Sequence, residues 1–386
     1  MPRSVPDGKG PRKSERRNVQ NNATQTALPE NNLDILRAFA VLSVLFAHFI
    51  DNLGGRTVFT TWVGHAGVLA FFVHTALVLM ASLERDDAPE RTGWIRRFYL
   101  RRACRIYPLA WAVILFVLVA RIPSGSINAP LEPRSAYTVV ANLLLMQNWA
   151  GAPNVIAPLW TLPLEVQMYL ALPICFLLAR KPYGQWRIAV AIVCSVALAY
   201  ANLWGLRPEN RIPGLWRVQI PEYIPCFLMG VLAYALLRAR GLRGAQARVP
   251  AWTWTFIIIG NMLAVGAVWL QGREYYHVLR WGYCLLLGLL IPLVSDAGPS
   301  ALTRVAHTLA KYSYGIYLLH PLAIRFGFGT FRDQPMIIRS LVSFAVLGVA
   351  CFAAYHLVEK PGINFGQRLL GLRNRPAPLE ATATAP

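Results

Sequence analysis

Apolar residues run along this chain in long blocks, separated by short polar breaks that are often basic. A helix that crosses a bilayer needs about 20 mostly apolar residues. Blocks of that length predict spans over 33–52, 60–83, 103–122, 158–179, 187–205, 221–238, 251–270, 280–297, 306–328 and 337–358. The stretch 136–149 is apolar but short, and Pro130, Pro133, Pro153 and Pro158 bracket it, so it reads as a re-entrant or interfacial piece. The expected fold is an all-α polytopic membrane protein with about ten transmembrane helices. Residues 1–32 are polar and basic, with no apolar core of a signal peptide, and are expected to form a disordered cytoplasmic tail. The membrane domain is then 33–362, and 363–386 is a second, largely disordered tail.

The charge in the breaks orients the spans. With the N-terminus in the cytoplasm, 26 of the 38 Lys and Arg residues fall on the cytoplasmic side and 11 on the other, with Arg37 inside the first span. This excess satisfies the positive-inside rule and puts both termini in the cytoplasm. Counting 136–149 as a span would invert every later loop and spoil the asymmetry. Only 15% of residues are charged, against about 25% in a soluble domain, as expected of a chain solvated by lipid. The net charge of +20 therefore points to lipid headgroups as partners, not nucleic acid. The six cysteines lie in or beside apolar runs without metal-ligand spacing, so neither a disulfide framework nor a metal site is expected.

Ionisable groups inside spans are costly and mark function by default. The first span carries Arg37 near its start and His48 about three turns further, in the outer half of the membrane. The block from Trp160 to Tyr169 places Glu165 about 10 Å deep from the outer side, a depth that allows it to pair with His48. A histidine shared between helices is the structural alternative for His48, and an unrelated arginine the alternative partner of Glu165. His320 precedes Pro321, where it either adds polarity to the site or satisfies carbonyls loosened by the proline. His74 lies near mid-membrane, as a core histidine or the lining of a path. The densest charge is the run Arg96 to Arg105, in which Arg97, Arg101 and Arg105 recur at helical spacing. With Arg102, they suit a phosphate clamp at the cytoplasmic boundary as well as an ordinary positive anchor. Glu359 returns to that same surface and is expected near Arg37 or the cluster.

These motifs, in this order, resemble the acyltransferase-3 family of membrane acyltransferases. The stretch Leu33 to His48 is similar to the family opening, with Arg37 and His48 in place. Phe71 to Ala76 resembles a Phe-Phe-x-x-Ser-Gly stretch in which Thr75 and Ala76 replace the Ser and Gly. Arg101, Arg102, Arg105 and Pro108 match the arginine-rich motif. Trp160 to Tyr169 matches Trp-Ser-Leu-x-x-Glu-Glu-Gln-Phe-Tyr, with Val166 at the second Glu. Phe227 to Tyr234, Ser313 to Pro321 and Glu359 to Pro361 fit later motifs. The resemblance implies transfer of an acyl group, acetyl or another short chain, from acyl-CoA to a hydroxyl of an envelope glycan, glycolipid or glycoside, at a bacterial inner membrane. Acetyl-CoA is the expected donor, and no metal is implied. His48 is then the general base with Glu165 orienting it, and Arg37, Arg97, Arg101, Arg102 and Arg105 hold the donor. Trp160, Tyr169, His74 and His320 shape the site. The rival reading is a flippase for lipid-linked sugars, in which intramembrane His and Glu serve binding or proton coupling. No half-to-half repeat of the kind many transporters carry is apparent. A glycosyltransferase is weaker, because no Asp-x-Asp motif is present.

Overall fold

The computed structural model describes residues 28–86, 93–123, 134–205, 220–242, 249–271 and 276–371. The predicted tails at 1–27 and 372–386 lie outside the described residues. Long apolar blocks fold as helices because nothing else satisfies the backbone in lipid. The long helices are α1 (Glu30–Gly54), α2 (Val58–Asp86) and α3 (Trp94–Val119). The short α4 (Ala136–Leu143) and α5 (Gln147–Ala150) and a 3-10 turn (Ala157–Trp160) follow. Then come α6 (Thr161–Ala179), α7 (Gly184–Gly205), α8 (Ile220–Leu242), α9 (Thr253–Gln271) and α10 (Tyr276–Leu290). The last are α11 (Ala301–Thr330), α12 (Met336–Ala354), a π-helical turn (Tyr355–Glu359) and α13 (Lys360–Leu369). Among the described residues there is no strand, only an isolated bridge between Val249 and Val294.

The protein is a polytopic integral membrane protein. Seven helical stretches among the described residues are long and apolar enough to cross a bilayer: α1, α2, α3, α6 with its 3-10 turn, α7, α8 and α12 with its continuation. Each of the ten predicted blocks is helical, but α9 and α10 have shorter apolar stretches, and α11 is diluted by Arg304, His307, Lys311 and a row of Ser and Tyr. Large apolar side chains such as Phe116, Val193, Phe256 and Val349 stand outward and exposed, the reverse of a soluble protein. The segment 136–149 folds as two short helices, α4 and the start of α5, and the 3-10 turn follows at Ala157–Trp160.

Two ends of the bundle can be distinguished. At one end, Asn32 is buried and tied to Ser295, Asp296 and Ala297, and Trp254 Nε1 donates to its carbonyl at 2.9 Å. Residues 30–32, which the sequence assigns to the tail, are thus helical and tied to the bundle. α13 packs on α3 at this same end, so helix also continues past 362 to Leu369. The opposite end holds the turn between α1 and α2, where Thr60 Oγ1 hydrogen-bonds the Asp51 carboxylate. α1 lies between α2 and α11. Its close approach to α2 requires Gly67, where an added Cβ would stand 2.5 Å from the Ala40 carbonyl oxygen and 3.0 Å from Val44 Cγ2. A capping box at Ser300 and Thr303 starts α11, which runs parallel to α1.

Candidate active site

α1 carries the two most telling residues on one face. Eleven residues separate Arg37 from His48, which is three helical turns and about 16 Å along the axis. α11 runs beside it with Ser313, Tyr317 and His320 at i, i+4 and i+7, so they too form a stripe. Arg37 Nε donates to Ser313 Oγ at 2.7 Å, and the His48 and His320 rings lie 5.0 Å apart at the other end of the stripe. Between these two levels the protein holds two cavities.

The charged cavity, about 840 Å³, is lined by Arg37, Arg102, Arg105, Glu165, Tyr169 and His74 among apolar walls from α2 and α11. Glu165 and the Tyr169 hydroxyl are hydrogen-bonded, and the nearest cations to Glu165 are Arg37, Arg102 and Arg105. Tyr314 donates to the Ile106 carbonyl at 2.8 Å. Glu359, 1% exposed in the π-helical turn, interacts with the charges of Arg105 and Arg37, and its two carboxylate oxygens make no hydrogen bond among the described residues. A cluster of three arginines facing one or two carboxylates leaves a net positive cavity.

The histidine cavity, about 640 Å³, is lined by His48, Asp51, Arg56, Thr60, His65, Trp160 and His320, among others. His320 is buried at 1% exposure, and its Nδ1 lies 2.8 Å from the Tyr317 carbonyl and 3.2 Å from that of Ile316. A carbonyl only accepts, so Nδ1 carries the proton and Nε2 holds the lone pair. That nitrogen is buried and has no hydrogen-bond partner among the described residues. Trp160 stacks on His65 at 6.2 Å and stands 5.7 Å from Tyr223, giving the cavity an aromatic wall.

Three sequence expectations change. Glu165 is not beside His48: the two line different cavities, and no hydrogen bond joins them. The reason is that Trp160, just before α6, already lines the histidine cavity, so the first turns of α6 carry Glu165 past it to the charged cavity and Arg37. Arg97 and Arg101 do not line the charged cavity. Arg101 pairs with Asp86, and Arg97 donates to the Asp86 carbonyl at 3.0 Å, fastening α3 to the end of α2. Arg105 is one turn further along α3, beyond the reach of Asp86, and opens to the cavity with Arg102. Glu359 has Arg105 and Arg37 as neighbouring charges, but it is buried and hydrogen-bonds neither of them. Residues the sequence reading passed over are Asp51, Arg56, Thr161 and Tyr317. Tyr317 stood in view, three residues before His320 and four after Ser313 on the same stripe.

A cavity with arginines beside a cavity with histidines, inside a membrane bundle, is the setting in which the family comparison falls. The family described as an acyltransferase domain matches residues 30–356. This chain belongs to the acyltransferase-3 family. The acyltransferase MdmB of Streptomyces mycarofaciens is 28% identical over 91% of this chain and 95% of its own length. Nodulation protein 10 of Rhizobium leguminosarum is 27% identical over 76% of this chain and 83% of its own. The peptidoglycan O-acetyltransferase OatA of Listeria monocytogenes is 23% identical over 85% of this chain, which spans 55% of that protein. No solved structure matches the chain. Among the described residues, no group of three or more His, Cys, Asp or Glu is arranged to hold a metal.

Proposed function

We propose that this acyltransferase moves a short acyl group, acetyl in the first instance, from acyl-CoA to a hydroxyl of a sugar-containing acceptor. It does so in a bacterial inner membrane, with ten spans and both termini in the cytoplasm. Family membership supports acyl transfer, and the likeness to the peptidoglycan O-acetyltransferase of Listeria supports a glycan-type acceptor. The basic excess on the side of the termini supports the orientation. The observation that carries the reading is the pair of cavities, which puts arginines and histidines at two depths along α1.

The donor enters from the cytoplasm, and its phosphates meet Arg37, Arg102 and Arg105. Glu165 holds Tyr169 and balances the arginines, which keeps them from repelling one another when the site is empty. The acceptor hydroxyl arrives in the histidine cavity, where Trp160 offers a flat apolar face to a sugar ring. His48 takes the proton of that hydroxyl as its oxygen attacks the thioester carbonyl. The carbon–oxygen bond forms, the carbon–sulfur bond breaks, and the departing thiolate regains the proton from His48. His320 presents its Nε2 lone pair to the same cavity and stabilises the positive charge that His48 gains.

Label transfer from radiolabelled acetyl-CoA to envelope glycan or glycolipid tests this in membranes containing wild type or His48→Ala. The expected loss is about two to four orders of magnitude in rate, with donor binding retained. Transfer undiminished in His48→Ala removes His48 from the chemistry. A wild type that binds no acyl-CoA reopens the flippase alternative.

A further inference from the structure

Tyr317 and Val68 line both cavities and stand as the partition between them. Tyr317 is 9% exposed, with Phe71 edge-on to its ring at 6.1 Å. Its hydroxyl shares a hydrogen bond of 2.8 Å with Thr161 Oγ1 and lies 3.3 Å from the Pro158 carbonyl. The side chain of one helix is thereby latched to the start of α6. The latch consists of side-chain hydrogen bonds, so rotation of one rotamer releases it without moving a helix.

We infer that the Tyr317–Val68 partition selects the acyl group, admitting acetyl to His48 and holding back longer chains. The inference rests on the donor occupying the charged cavity, as proposed above. Phosphates at Arg37 lie about 16 Å along α1 from His48, so a donor whose thioester meets an acceptor hydroxyl at His48 carries its acyl group past the wall between the cavities. The acyl carbons beyond it then meet the Tyr317 ring and the Val68 isopropyl group. An acetyl adds one methyl there, whereas a butyryl or hexanoyl group needs room that Phe71 and the latch to Thr161 deny it. A single methylene too many in a close apolar pocket lowers kcat/KM by about 10- to 200-fold. The same partition keeps water in the histidine cavity from the thioester until Tyr317 turns aside, which favours transfer over hydrolysis.

The test compares kcat/KM for acetyl-, butyryl- and hexanoyl-CoA with one acceptor preparation, in membranes holding wild type, Val68→Ala or Val68→Leu at equal protein amounts. Wild type is expected to favour acetyl. Val68→Ala should raise the butyryl-to-acetyl ratio at least tenfold, and Val68→Leu should lower it. Two variants of opposite size guard against a loss of folding in either one. Acetyl transfer that persists in both with an unmoved ratio overturns the partition while leaving acyl transfer standing. A wild type that transfers no acyl group from any of the three donors refutes the transfer reading, and the partition falls with it.

Discussion

The contact at Gly67 joins the fold to the chemistry, and its disruption has a calculable effect. A Cβ there would stand 2.5 Å from the Ala40 carbonyl oxygen, 3.0 Å from Val44 Cγ2 and 3.1 Å from Ser43 Cβ. All three atoms belong to the stretch of α1 between Arg37 and His48. Ordinary contact between heavy atoms begins near 3.5 Å, so Gly67→Ala must push α1 from α2 by roughly 1 Å. Overpacking of this kind costs about 1–3 kcal/mol, which a bundle of this size survives. The site is less tolerant, because a displacement of about 1 Å in the reacting groups costs on the order of 10²-fold in rate. Gly67→Ala should therefore be inserted and folded, with a modestly lower apparent melting midpoint in detergent, yet transfer acetyl tens to a hundred times more slowly. Gly348 in α12 provides the control, since nothing lies within 4 Å of its built Cβ. Gly348→Ala should transfer at the wild-type rate and melt no lower, because Ala is the better helix former by up to about 1 kcal/mol. A Gly67→Ala enzyme with wild-type rate and midpoint refutes the claim that the α1–α2 spacing sets the geometry of the site.

The arginines should divide into two classes. Arg105→Gln should raise KM for acyl-CoA about ten- to a hundredfold through loss of a charge-assisted hydrogen bond, with little change in melting. Arg101→Gln should do the opposite, leaving KM within about twofold and destabilising the protein by about 1–3 kcal/mol, because the buried carboxylate of Asp86 loses its ion pair with Arg101; steady-state kinetics and melting curves on both variants check this, and a matched rise in KM would return Arg101 to the donor site. His320→Leu should slow transfer at unchanged acyl-CoA affinity, while His320→Gln, whose carbonyl can still offer a lone pair, should recover to within about tenfold of wild type. Equal losses in the two His320 variants would show that the histidine only fills space.

How far the site was legible in the sequence depended on whether a signal ran along one helix or between helices. Arg37 and His48 sit eleven residues apart on one helix, and any right-handed helix places them on one face, so the reading needed no tertiary knowledge. The same holds for Ser313, Tyr317 and His320. The depth of Glu165 was not readable in this way, because it depends on where α6 starts, and that depends on how the segment 136–160 folds into the bundle. A ruler of 1.5 Å per residue laid from the membrane boundary therefore put Glu165 beside His48, when its partners are Tyr169 and three arginines from two other helices. The arginine run failed for a related reason. Periodicity grouped Arg97, Arg101 and Arg105, but the end of α2 supplies Asp86 at the level of the first two only. What separates the arginines tied to α2 from those that line the charged cavity is thus the reach of a single carboxylate, a relation between distant segments that no local spacing encodes. α11, although 30 residues long, is not among the stretches apolar enough to cross a bilayer, because Arg304, His307 and Lys311 interrupt it and its stripe of Ser313, Tyr317 and His320 faces the cavities instead of lipid. The residues that cost this helix its hydropathy are thus in part the ones that put Ser313 in the charged cavity, His320 in the histidine cavity and Tyr317 in both.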